Sequence, residues 1–251
     1  MHPLIAVVLD LVYAPICLGC RGAILPGDGV RLVCRRCRSR IRPIPDPACT
    51  RCGAPLLRTG RLPEPNCSEC RHWPPFLRAA RSAALLHPPA DRLVHQLKYR
   101  GWHALAEPLG ALMAKVPLPQ DVAEEARLVV PVPTTATRLR ERGYNQAERL
   151  AAVFTTLTGR RLAPVLTRAG AVATQTVLQP AARGANVAGA FRVVAGAARQ
   201  IEGEHLLLVD DVLTTGATAT ECARTLVDAG ARCVSLITFA RALDVRRLTT
   251  N

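Results

Sequence analysis

Two adjacent carboxylates, Asp210 and Asp211, follow the unbroken apolar run Leu206-Leu207-Leu208-Val209 and precede Thr214-Thr215-Gly216-Ala217-Thr218. The run predicts a buried strand, and the carboxyl edge of such strands is where open α/β sheets bind ligands. A turn of small hydroxyl residues and glycine that opens a helix offers free N–H groups and the positive end of the helix dipole to a phosphate. Carboxylates suited to sugar hydroxyls or Mg²⁺ therefore stand beside donors suited to a phosphate. Asp-Asp alone is often a solvated loop, and a Thr-Thr-Gly turn alone says little. Their order and spacing behind the apolar run are what point to a site.

A second chemistry lies in the cysteines. Eight of the ten form four pairs of one spacing, Cys17/Cys20, Cys34/Cys37, Cys49/Cys52 and Cys67/Cys70. Two thiolates three positions apart on a tight knuckle can face one tetrahedral ion, and a second knuckle completes a four-thiolate shell, so four knuckles predict two structural Zn²⁺. Sequential pairing closes the shorter loops and is the expected arrangement; a crossed one would interleave them. The competing reading, four disulfides in an exported domain, lacks support because the short apolar stretch Leu4 to Leu9 has no basic n-region before it and no small-residue cleavage site after it. A cytoplasmic protein without a membrane span is expected. Cys222 and Cys233 are isolated and are expected to pack within a helix and a strand.

These groups need elements to position them. Residues 1–80 are expected to hold an N-terminal helix and a double zinc ribbon, poor in periodic apolar pattern and dependent on metal for folding free energy. Residues 81–251 alternate strand and helix patterns. Strands are expected at 83–86, 128–133, 163–167, 190–194, 205–209 and 233–239, and helices at 91–99, 105–115, 145–158 and 216–229. Strands without polar alternation predict a parallel sheet covered on both faces. Lys98-Tyr99-Arg100 ends a helix with positive charge, which the helix dipole alone explains. The composition, 49% apolar and 21% charged, excludes a disordered chain.

The segments Val130-Pro131-Val132-Pro133, Arg140-Glu141-Arg142-Gly143-Tyr144-Asn145-Gln146-Ala147, Thr174-Gln175-Thr176 and Arg183-Gly184-Ala185-Asn186 complete a pattern with the cysteine ribbon and the Asp210-to-Thr218 stretch. The whole chain resembles the ComF competence-protein family, and residues 206–218 resemble the phosphoribosyl pyrophosphate (PRPP) motif of type I phosphoribosyltransferases. Tyr144 stands where that family usually carries phenylalanine. Thr134 and Thr135 stand where relatives commonly carry Leu-His.

The resemblance implies a type I phosphoribosyltransferase-like parallel sheet with helices on both faces and a hood, preceded by a small zinc-ribbon domain. It implies that Asp210 and Asp211 hold the ribose hydroxyls of PRPP and that Thr214, Thr215, Gly216, Ala217 and Thr218 wrap its 5′-phosphate. Arg138, Arg140 and Arg142, on the segment 133–143, become candidates for the pyrophosphate, and Mg²⁺ would bridge pyrophosphate and ribose oxygens. Gln175, Arg183 and Asn186 would be polar contacts of a hood over the acceptor. The arginines, with Arg149, also fit the wet face of a helix bearing Glu141 and Glu148. Two functions follow: phosphoribosyl transfer to a nitrogen nucleophile, or a PRPP-sensing, single-stranded-DNA-handling accessory of DNA uptake acting with a helicase. Trp73, Phe76, Tyr99 and Trp102 could stack on bases, or belong to the core.

The formal charge of +14 also suggests a polyanion partner; it divides into +8 over residues 1–81 and +6 over residues 82–251. Each four-thiolate zinc site carries −2, which lowers the total to about +10. Nucleic acid is therefore a secondary inference from charge, and the phosphoribosyl site the primary one.

Overall fold

The computed structural model describes residues 15–25, 28, 31–56, 67–168 and 189–243. The expected N-terminal helix and the hood residues Gln175, Arg183 and Asn186 lie outside them. A short helix α1 (Arg35–Arg40) belongs to the ribbon, and β1 (Leu77–Leu85) leads out of it. There follow α2 (Ala90–Tyr99), a 3-10 turn (His103–Leu105), α3 (Ala106–Ala114), α4 (Gln120–Glu125) and β2 (Leu128–Pro131). Next come α5 (Ala136–Arg142), α6 (Gln146–Thr158), β3 (Arg161–Leu162), β4 (Leu166–Arg168) and β5 (Phe191–Val193). The last elements are α7 (Ala198–Ile201), β6 (His205–Leu213), α8 (Ala217–Asp228) and β7 (Cys233–Arg241).

Five strands form one sheet in the order β1-β7-β6-β2-β3, and every neighbouring pair is parallel. β4 and β5 form a separate antiparallel pair. The strands carry their apolar residues without alternation because helices cover both faces. Val129, Leu207, Val209, Ile237 and Phe239 join one core with α2, α3 and α6. Their neighbours Leu128, Val130, Leu206, Leu208, Val234 and Leu236 join the other with α8. Ala219, Cys222, Ala223 and Leu226 are the buried face of α8, as their helical spacing predicts.

Three departures from expectation shape the site. β1 begins six residues earlier than expected and runs across positions 80 and 81. Its first part, Leu77 to Ser82, has too weak an apolar pattern to announce a strand, and its parallel register with β7 supplies the missing order. β6 continues through both aspartates to Leu213, since Asp210 pairs with Thr238 in the β7 ladder. The segment after β2 takes up the helical alternative, started by the Thr135 hydroxyl, which accepts from the Arg138 N–H at 3.2 Å. Gly143, at φ +77°, ends it.

Candidate functional site

A cleft of about 450 Å³ opens over the carboxyl ends of β2 and β6. Asp210, Asp211, Thr214 and Thr218 line it from the β6–α8 side, and Arg138, Arg142, Pro133 and Thr134 from the β2–α5 side. Lys98 and Tyr99 of α2 and Arg168 of β4 complete the walls. One end of the cleft is acidic and four cations face it.

The Arg-Gly-Tyr-Asn-Gln box, residues 142–146, is explained one residue at a time. Tyr144 is buried, and its hydroxyl donates to the Leu97 carbonyl, tying the start of α6 to α2. Asn145 caps α6 through its carbonyl oxygen, which accepts from Ala147 N–H at 3.1 Å, while its amide donates to the Val132 carbonyl at the end of β2. Gln146 accepts from Arg142 at 3.0 Å, and the Arg142 guanidinium lies 4.8 Å over the Tyr99 ring. The box therefore aims Arg142 into the cleft. Arg138 lies one helical turn earlier on the same face, whereas Arg140 is exposed and is absent from the cleft lining.

Asp211 is 4% exposed and its Oδ1 meets the Lys98 ammonium at 2.7 Å. Its Oδ2 is buried without a hydrogen-bond partner among the described residues, an acceptor open to a ribose hydroxyl or a hard cation. Burial pushes the Asp210 carboxyl up to about 7, with the charge of Asp211 adding to the effect and Lys98 and Arg168 opposing it. Burial likewise lowers Arg168, with Arg138 contributing. Gly216, at φ +84°, opens α8, and the Thr215 hydroxyl accepts from Ala217 N–H at 3.4 Å. Thr214 and Thr218 face the cleft, whereas Thr215 lines a neighbouring groove with Ser68, Glu69, Arg71, His72 and Trp73.

The cysteines gather in two clusters, Cys17/Cys20/Cys34/Cys37 and Cys49/Cys52/Cys67/Cys70, with all four sulfurs of each within 4.8 Å of one another. The pairing is sequential. Sulfur separations are 3.8 Å for Cys20–Cys34, Cys49–Cys70 and Cys67–Cys70, and 3.5 Å for Cys52–Cys67. Zn–S bonds of about 2.3 Å at tetrahedral angles place sulfurs about 3.8 Å apart. A disulfide needs about 2.05 Å. Backbone N–H groups of Cys34, Cys37 and Cys52 point at the sulfurs of Cys17, Cys34 and Cys49, as zinc knuckles require. Hydrogen bonding with Cys52 pulls the Cys49 thiol down to about 3, while burial pushes Cys70 up to about 12. A cation is what would let all four ionise.

Residues 8–71 match the double zinc ribbon domain family. Over 233 residues the chain is 30% identical to the DNA utilization protein YhgH of Escherichia coli K12, covering 91% of this chain and 97% of that protein. It is 26% identical over 231 residues to competence protein F of Haemophilus influenzae, covering 90% and 96%. The chain belongs to the ComF competence-protein family. Among solved structures, this ComF-family chain is similar to the B. subtilis glutamine phosphoribosylpyrophosphate amidotransferase, with TM-score 0.37 and 22% identity, over 54% of this chain and 26% of that one.

The partners of Lys98 and Trp73 in this ComF-family site escape a reading of the sequence. Lys98 ends α2 but reaches Asp211, so the helix dipole is not its whole account. Trp73, 7% exposed, is a core residue and donates its indole N–H to the Thr215 carbonyl at 3.3 Å. The first has a weak signal, since Lys98 is one of only two lysines, with Lys115, among 33 basic residues. The second has none. Among the described residues no helix is long and apolar enough to cross a membrane.

Proposed function

We propose that this protein binds PRPP in the cleft over β2 and β6 and transfers its phosphoribosyl group to a nitrogen nucleophile. The observation that carries the reading is the polarity of the cleft: two carboxylates and the N-terminus of α8 on one side, Arg138, Arg142, Lys98 and Arg168 around them. Asp210 and Asp211 take the ribose hydroxyls and stabilise positive charge as the anomeric carbon becomes oxocarbenium-like. The turn Thr214-Thr215-Gly216-Ala217-Thr218 holds the 5′-phosphate through backbone N–H and hydroxyl groups. Arg138 and Arg142 hold the pyrophosphate; Arg140 takes no part. The bond from the anomeric carbon to the pyrophosphate oxygen breaks, a carbon–nitrogen bond forms with inversion, and the nucleophile's proton passes to solvent. Mg²⁺, held by PRPP oxygens with the hard oxygens of Asp210 and Asp211 nearby, would neutralise the leaving group.

PRPP-dependent pyrophosphate release over a panel of bases and amines tests transfer. An acceptor that supports turnover in the parent protein, with loss in Asp210→Asn and Asp211→Asn, is the expected result. PRPP binding without turnover on any acceptor overturns transfer and favours a second reading, a PRPP sensor that handles single-stranded DNA beside a helicase in the cytoplasm. The names of the relatives, a DNA utilization protein and a competence protein, support that reading, as does the basic excess. There residues 1–80 form the DNA-facing ribbon and residues 81–251 the PRPP-binding domain. Its DNA affinity should fall steeply with added salt.

A further inference from the structure

The second cysteine cluster and the phosphate turn are joined through Trp73, although neither is near the other in sequence. Trp73 follows Cys70 by three residues and its N–H donates to the Cys70 carbonyl, so the knuckle sets its backbone. Arg51, between Cys49 and Cys52, donates to the carbonyls of Cys70, Trp73, Pro74 and Leu77 and locks the segment that carries the indole. From the far end of β7, Arg241 is 1% exposed and donates to the Cys52 carbonyl at 2.7 Å and towards the Cys52 sulfur at 3.7 Å. The indole so held packs against Gly216. A Cβ on Gly216 would stand 2.7 Å from Cζ2 and 2.8 Å from Cε2 and Nε1 of Trp73, closer than van der Waals contact allows.

We propose that Trp73 is a positioning residue for the phosphate turn: anchored by the second four-cysteine cluster, it presses on Gly216 and holds the Thr215 carbonyl, so the ribbon sets the shape in which the turn receives a 5′-phosphate. This rests on the reading of that turn as the phosphate cradle of PRPP. The physical reason is that Gly216, in the left-handed region, has wide conformational freedom, and a cradle of backbone N–H groups works only when that freedom is removed in advance. The ring on one side and the hydrogen bond at Thr215 remove it. The Gly216 hydrogen is demanded twice, by φ and by the ring. The ribbon then contributes to the affinity for a small ligand without touching it.

The test is PRPP binding with Mg²⁺ by calorimetry, on the full chain, with zinc content measured in every variant. Trp73→Ala should weaken binding by about 10- to 100-fold while two zincs remain, as a misplaced cradle does. Trp73→Phe keeps a smaller aromatic ring but loses the N–H and the Nε1–Cζ2 edge that meets Gly216, and should fall between Trp73→Ala and the parent. Gly216→Ala should cost less in the Trp73→Ala background than in the parent, because part of its penalty is the clash with the indole. Parent-like affinity in Trp73→Ala, or an equal Gly216→Ala penalty in both backgrounds, overturns the positioning role and leaves the PRPP reading standing. If Trp73→Ala loses zinc, Trp73→Leu, which fills space without a ring or an N–H, takes its place in both comparisons and decides in the same way. A parent protein that binds no PRPP overturns the phosphate-cradle reading itself, and the proposal with it.

Discussion

Lys98→Met should destabilise the protein more than any other single truncation in the cleft. The ammonium stands 2.7 Å from Asp211 Oδ1, and the two side chains are 24% and 4% exposed. At an effective dielectric of about 20 the bare attraction at this separation is about 6 kcal/mol, most of which the desolvation of the two ions cancels. What the substitution exposes is that desolvation, because a carboxylate whose other oxygen is already without a partner loses its counterion. Removing one member of a buried pair costs about 3 to 5 kcal/mol, and the partial exposure of Lys98 places this case near 3. Urea unfolding of zinc-replete, ligand-free protein at pH 8 measures it, with the slope checked against the parent. Lys98→Met/Asp211→Asn, which removes the stranded charge, should regain at least about 1 kcal/mol of that loss. A single variant within about 1 kcal/mol of the parent, or a double variant no more stable than the single, would refute the reasoning.

Three further outcomes are expected. The carboxyl of Asp210, raised to about 7 by burial, must ionise to hold ribose hydroxyls, so PRPP affinity should fall by up to about tenfold per pH unit below 7 and level off above it, and less so in Asp210→Asn; affinity flat between pH 6 and 8 contradicts this. The same raised value makes this group's contribution to the stability of the free protein run the other way, fully present below about pH 4 and lost as pH rises towards 7. Elemental analysis should find two zincs per chain, falling to one in Cys49→Ser or Cys34→Ser, and a count of one in the parent would sink the double-cluster arrangement. Tyr144→Phe strands the buried Leu97 carbonyl and should cost about 1 to 2 kcal/mol in thermal or urea unfolding, with no change in zinc content; a neutral effect would mean that the ring, not the hydroxyl, ties α6 to α2.

Much of this molecule was legible in residue order. Cysteine spacing named both ligand sets, because two thiolates three positions apart can meet one ion whatever surrounds them. The apolar run before Asp210 marked β6, and the small residues after it marked the opening of α8, since burial and helix entry leave local traces. Helices α2, α3 and α6 showed their spacing for the same reason. Only the end of β1 showed, because the rest of LRAARSAAL becomes a strand through its pairing with β7 rather than through its own pattern. Arg138, Arg140 and Arg142 looked alike as residues until α5 formed. A helix turns residues four apart to one face, so two of them reach the cleft and the middle one does not.

The sequence by itself determined which residues could bind metal and where an acid pair would meet a helix opening. Tertiary structure alone decided what stands against them. Trp73 lies 142 residues from the carbonyl it holds, and Arg241 lies 189 residues from Cys52. Lys98 of α2 meets Asp211 of β6 only because the intervening chain builds the sheet between them. Periodicity reports that a face is covered, since burial repeats along one element. It carries no information about which side chain of another element does the covering, because that depends on strand order and register, which are settled by the packing of the whole chain.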